Sequence, residues 1–262
     1  MNRYKGPLLM IFGIFLAVIS DLSFKNIALP NYPFLQMVGI RAFMKMIPIL
    51  GLIFYLGNIK DKFIAKQPIA RLAHCIVNFS ATLLFLYAYK ILKLSDIYVL
   101  GYSEGIFIVY MGIFVLKEKV SLPKVIAMTF SVLGIIIALR PELTFNIGSV
   151  IVLLGAIIAS TKKIIIRKYN KDHVLLMSLY PNVFMCICLL PFIIIGWEPI
   201  HMNHWLPLIL GGASSGITQL CVYYAVKITP VSITTPLSYT SFLWITILEL
   251  SFFGIMPSLY AI

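Results

Sequence analysis

Charged side chains, among them Arg41, Glu104 and Glu249, stand inside long runs of apolar residues. A charge at the centre of a bilayer costs ~2.5–3.5 kcal/mol on insertion scales, so each needs a partner, a water-filled cavity or a task. Arg41 and Glu104 lie at matching positions in their runs, both about 12 Å below the same interface at the 1.5 Å rise of a helix. Equal depth makes an Arg41–Glu104 ion pair geometrically possible, one that either neutralises two buried charges or lines a cavity. Ser238, Ser241, Ile245 and Glu249 fall on one helical face at steps of three and four. That polar stripe reads as a cavity wall, or as a carboxylate placed to reach interfacial water. Together Glu104 and Glu249 suit a cationic or zwitterionic substrate, or a coupling proton.

Aromatic and amide groups extend the candidate site. Tyr102, Tyr239 and Trp244 could stack on a planar or cationic ligand; packing and interfacial anchoring are the structural alternatives. Asn78 and Ser80 could bond a substrate or a neighbouring helix. Asp21 and Lys25, four residues apart, read as an interfacial pair. Gly101 and Gly105, and Gly212 and Gly216, have the GxxxG spacing of closely packed membrane helices. Cys75, Cys186, Cys188 and Cys221 sit in apolar runs without CxxC spacing, and the histidines share no ligand spacing, so neither a disulfide framework nor a metal site is expected. No cofactor is implied.

These residues must be positioned by membrane helices. The chain of 262 residues is 61% hydrophobic and only 11% charged, whereas soluble domains carry about 25% charged residues. A spanning helix needs ~20 mostly apolar residues. Nine such runs are readable, at about 6–24, 33–56, 70–89, 95–116, 122–139, 147–164, 174–196, 205–225 and 231–253. The net charge of +12 does not mark a nucleic-acid binder, because the basic residues lie in short loops between the runs. With the N-terminus inside, fifteen Lys and Arg fall in inside loops, Lys162 and Lys163 among them, against four outside. That bias is the positive-inside pattern of a multi-pass membrane protein with a cytoplasmic N-terminus.

The chain also matches itself at an offset of 137 residues. Tyr87-Ala88-Tyr89-Lys90-Ile91, Ser95, Leu100 and Tyr102-Ser103 return as Tyr224-Ala225-Val226-Lys227-Ile228, Ser232, Leu237 and Tyr239-Thr240. The orientation rule puts Lys90 outside and Lys227 inside, so the copies are inverted. The expected fold is an all-α polytopic membrane protein of two inverted five-helix repeats, 1–141 and 142–262. Ile262 aligns with Val125, so the tenth helix is largely missing and about nine spans are expected. Inverted repeats are the usual architecture of alternating-access carriers.

Arg41, the Tyr-Ala-x-Lys-Ile run, Leu116-Lys117-Glu118-Lys119-Val120-Ser121 and Leu139-Arg140-Pro141 resemble the drug/metabolite transporter superfamily, in its EamA-type branch. The stretch Ser20-Asp21-Leu22-Ser23-Phe24-Lys25 with Tyr32-Pro33-Phe34 is similar to bacterial S-adenosylmethionine uptake carriers; Ile255 stands where the repeat has Glu118. The resemblance implies a secondary transporter, not an enzyme, in a bacterial inner membrane. It would move a small polar metabolite, S-adenosylmethionine or an amino-acid-like compound, with a coupling proton or counter-substrate. Arg41, Asn78, Tyr102, Glu104, Tyr239, Trp244 and Glu249 are the expected substrate-binding residues, converging on one pocket. The missing helix supports an alternative, a non-transporting remnant or membrane interaction protein. A lipid enzyme would gather carboxylates or His and Asp at an interface, and the sequence shows no such grouping.

Overall fold

The computed structural model describes residues 4–24, 31–57, 64–92, 100–118 and 147–253, with a few single positions between 97 and 133. Every regular element among the described residues is helical. In chain order they are α1 (Lys5–Ser23), α2 (Phe34–Tyr55), α3 (Pro68–Ile91), α4 (Glu104–Leu116), α5 (Ile147–Lys168), α6 (Val174–Ile195), α7 (Met202–Ile228), α8 (Val231–Ser238) and α9 (Thr240–Phe253). In hydrocarbon a helix satisfies its own backbone hydrogen bonds, so an apolar run has no other open-chain option. Proline fits at the start of α3, where its missing N–H would be unpaired in any case.

Among the described residues, six helices are long and apolar enough to cross a membrane: α1, α2, α3 (over Pro68–Phe85), α5, α6 and α7. The nine-run reading is corrected at three places. The run at 95–116 is interrupted: Ile97, Leu100 and Gly101 are helical, Tyr102 and Ser103 form a turn in which the Ser103 hydroxyl donates to the Leu100 carbonyl at 2.5 Å, and α4 starts at Glu104. The run at 231–253 is two helices, α8 and α9, broken at Tyr239. Pro236 lies inside α8 one turn before the break, and the Ser238 and Thr240 hydroxyls donate to the Thr235 and Leu237 carbonyls at 2.6 and 2.7 Å, competing with the helical backbone bonds there. The Tyr239 N–H closes a tight turn on the Pro236 carbonyl at 3.2 Å. Third, α5 continues past the run at 147–164 to Lys168, and the basic residues from Lys162 to Lys168, counted with an inside loop, are all helical. Lysine is a good helix former, and hydropathy alone ends the span too early. Most of the run at 122–139 lies outside the described residues, as do Lys25 and residues 254–262.

The chain divides into two compact units that interleave the sequence repeats. One holds residues 1–75 and 169–225, the other 76–168 and 226–262. In the first, α2 packs on α6, with Ile49 and Ile53 of α2 buried against Leu175 and Leu179. In the second, α4 packs on α5, and Ala88, Ile97 and Val152 form a buried cluster.

The Gly212/Gly216 spacing is a packing device within the first unit. A methyl group on Gly216 would lie 2.5 Å from the Lys45 carbonyl oxygen and 2.7 Å from Pro48 Cγ, and one on Gly212 would strike the Met44 side chain. Gly216→Val should therefore destabilise the protein by about 1–3 kcal/mol through overpacking, read as a lower unfolding temperature in detergent. Gly51→Ala, where nothing lies within 4 Å, should leave it unchanged or raise it.

Candidate functional site

The second unit gathers three of the expected site residues around one ion pair. Glu104 opens α4 in its first turn, where the positive end of the helix dipole favours a carboxylate. Its carboxylate Oε1 lies 2.9 Å from the Lys163 ammonium of α5, with the side chains only 23% and 14% exposed. Ser160, one turn before Lys163 and so on the same face, is fully buried; its hydroxyl is shared between the Glu104 carbonyl at 3.0 Å and the Ala156 carbonyl at 2.8 Å. One face of α5 thus holds both the backbone and the side chain of Glu104. Helical side chains lean toward the N-terminus, so Lys163 reaches back up α5, away from the nearer helix end. Lys162 also lies within electrostatic reach of Glu104.

Two tyrosines flank this pair. Tyr102 and Tyr239, equivalent positions in the repeat, occupy the turns that precede α4 and α9. Their rings meet edge to face with centroids 5.5 Å apart. The Ser241 hydroxyl donates to the Ser238 carbonyl at 2.9 Å, which leaves its oxygen to accept from the Tyr102 hydroxyl at 2.7 Å. The Tyr239 hydroxyl points at the Tyr102 carbonyl, 3.4 Å away. Gly105 admits this arrangement, because any side chain there would collide with the Tyr239 ring. The result is a half-buried patch of one carboxylate, a paired ammonium, two phenols and serine hydroxyls. It can compensate opposite charges and stack a planar group.

The other expected residues are placed differently. Arg41 belongs to the first unit, where its Nη2 donates to Asp21 at 2.5 Å and to the Ser20 hydroxyl at 3.0 Å, and its guanidinium lies 4.7 Å from the centroid of the Phe24 ring. The expected Arg41–Glu104 pair is thus replaced by two local ones, and Asp21 has Arg41 as its partner. Equal depth was a condition for pairing but did not select the neighbour. Asn78 is half-buried in α3, and Trp244 is half-buried in α9. Glu249 belongs to α9, but its side chain lies outside the described residues.

Sequence reasoning missed a fully buried ion pair in the first unit. Arg71, counted among loop residues, sits in the first turns of α3 with its Nε 2.9 Å from Asp172 Oδ2, the side chains 1% and 0% exposed. Asp172 Oδ1 also accepts from the Lys66 N–H at 2.6 Å, and Arg71 Nη2 donates to the Tyr169 carbonyl at 2.9 Å. The pair fastens the segment before α6 to the start of α3. Beside it lies a cavity of about 540 Å³, lined by Arg71, Leu72, Cys75, Tyr180, Val183 and Phe184. Its one charged group, Arg71, is already held by Asp172, and the rest of the lining is apolar apart from Cys75 and Tyr180. Arg167 plays a similar part in the second unit, donating to Glu118 at 3.2 Å and to the Lys227 carbonyl at 2.7 Å. The signal for these pairs was available: only nine acidic residues face 21 basic ones, so each acid inside or beside a span needed an assigned partner.

Removing one member of the Arg71–Asp172 pair strands a buried charge. Asp172→Ala should cost about 3–5 kcal/mol, whereas Arg71→Met combined with Asp172→Leu should recover most of that loss. Unfolding midpoints of the wild type and the two variants in detergent give the comparison; equal losses for the single and double variants would sink this assignment.

Among curated proteins none matches the chain. A protein solved by crystallography superposes with a TM-score of 0.84 over 99% of this chain and 93% of its own, at 16% identity; at that identity the likeness establishes the fold alone. The EamA-like transporter family matches residues 4–140 and again residues 146–262. With both matches together covering nearly all of this helical, multi-pass membrane protein, the chain belongs to the EamA-like transporter family, within the drug/metabolite transporter superfamily.

Proposed function

We propose that the protein is a secondary carrier for a small polar metabolite, working by alternating access, with the patch around Glu104 as part of its substrate site. The observation that carries this reading is the gathering of Tyr102, Glu104, Lys163 and Tyr239 on one half-buried patch of an apolar helical unit. Charges kept in a membrane helix at a solvation cost are in general tied to substrate or ion pathways. A partly exposed pair can be reached by a ligand, unlike the sealed Arg71–Asp172 pair. Two aromatic rings beside a carboxylate suit a cationic or planar group. S-adenosylmethionine and amino-acid-like compounds have that character, and the sequence stretch around Ser20–Lys25 favours the former as the first candidate. Arg41, Asn78, Trp244 and Glu249 complete the proposed substrate-binding set.

The same reading puts the protein in a bacterial inner membrane with a cytoplasmic N-terminus, supported by the distribution of Lys and Arg. The two sequence repeats, 1–141 and 142–262, are proposed as inverted copies, supported by the family's separate match to each half. A proton or a counter-substrate is the proposed coupling partner.

Uptake of labelled S-adenosylmethionine and amino acids into proteoliposomes tests this directly. Saturable uptake is expected for the wild type, and Glu104→Gln should lower it about ten-fold or more, the order expected for losing a charge-assisted contact. Normal uptake by Glu104→Gln would remove Glu104 from the site.

A further inference from the structure

Resting on that carrier reading, we infer that Lys163 is the resident counter-ion of Glu104, a stand-in that a cationic group of the substrate displaces. A carrier must return through the membrane with its site empty, unless it returns loaded with another molecule. An unpartnered carboxylate in a low-dielectric setting opposes that return, because stripping water from it is repaid only by an opposite charge. Here the opposite charge is built in. The Lys163 ammonium lies 2.9 Å from Glu104, both side chains are half-buried, and Ser160 pins the Glu104 backbone to the same face of α5.

Lysine suits the part. It is a single point charge on a flexible four-carbon stem, so it can withdraw from Glu104 without disturbing the backbone. The anchoring of Glu104 does not depend on it: the Ser160 bond and the Tyr102–Gly105 turn hold the Glu104 backbone through main-chain atoms. When a substrate cation takes over Glu104, the freed Lys163 and its neighbour Lys162, which also senses the Glu104 charge, are placed to meet an anionic group of the same substrate. The site stays compensated in both states, and net uptake needs no counter-substrate.

The readout is the ratio of uptake into preloaded vesicles to uptake into empty ones, with labelled S-adenosylmethionine and labelled amino acids as probes. The wild type should show a ratio within about two-fold of unity. Lys163→Gln should raise the ratio several-fold, and Lys163→Gln combined with Lys162→Gln about ten-fold or more, because the empty return of the double variant carries a bare carboxylate. Lys163→Arg supplies a second, independent reading. Its planar fork grips a carboxylate with two parallel bonds, so the ratio should stay near that of the wild type while KM rises several-fold. An unchanged ratio in Lys163→Gln, or a Lys163→Arg protein with unaltered KM, would overturn the counter-ion role and leave the carrier reading standing. A wild type that moves none of the probes would overturn both.

Discussion

A charge inside an apolar helix persists only where an opposite charge on another segment meets it, and this constraint organises the molecule. Arg41 finds Asp21, Arg71 finds Asp172, Glu104 finds Lys163 and Glu118 finds Arg167. Each of these pairs joins two different segments, so each also fixes the register of one segment on another. Hydrophobic burial cannot do this in lipid, where an exposed leucine is already content and helices associate through packing and polar contacts. Glycines such as Gly105 and Gly216 supply the close approach, and the ion pairs supply the specificity.

The four pairs are not equivalent. Arg71 and Asp172 are sealed, and their remaining polar atoms are taken up by the backbone of Lys66 and Tyr169. Arg167 is bound by both a side chain and a carbonyl. Those two are joints. The Glu104–Lys163 pair is partly exposed, its carboxylate stands beside the turn that precedes α4, and it is flanked by phenols and serines whose hydrogen bonds run among themselves. A joint is hard to open, whereas this pair is one that a ligand's charges can replace at little net cost.

Much of this was legible in the sequence, and the reason is periodicity. Long apolar runs gave the helices within a few residues, and the offset of 137 anticipated that Tyr102 and Tyr239 occupy equivalent turns. That the two rings touch was not readable, because an offset says nothing about folding one repeat against the other. The compact units in fact cut across the repeats. Lys163 falls inside the apolar run at 147–164 yet was counted with an inside loop, since a lysine at the edge of an apolar window looks like a loop residue until its partner is known. The Pro236 break was visible in principle, but a single apolar run concealed it. Pairing partners were the least legible feature: depth along a helix is one coordinate, and a contact needs the helix face and its neighbour as well.

The most direct test of the central claim reverses the charges of the Glu104–Lys163 pair. Unfolding temperatures in detergent are compared for Glu104→Lys, Lys163→Glu and the double reversal. The account predicts that each single reversal, which sets two like charges together in a half-buried place, lowers the midpoint, and that the double reversal restores most of the loss. Losses that simply add in the double variant would contradict it.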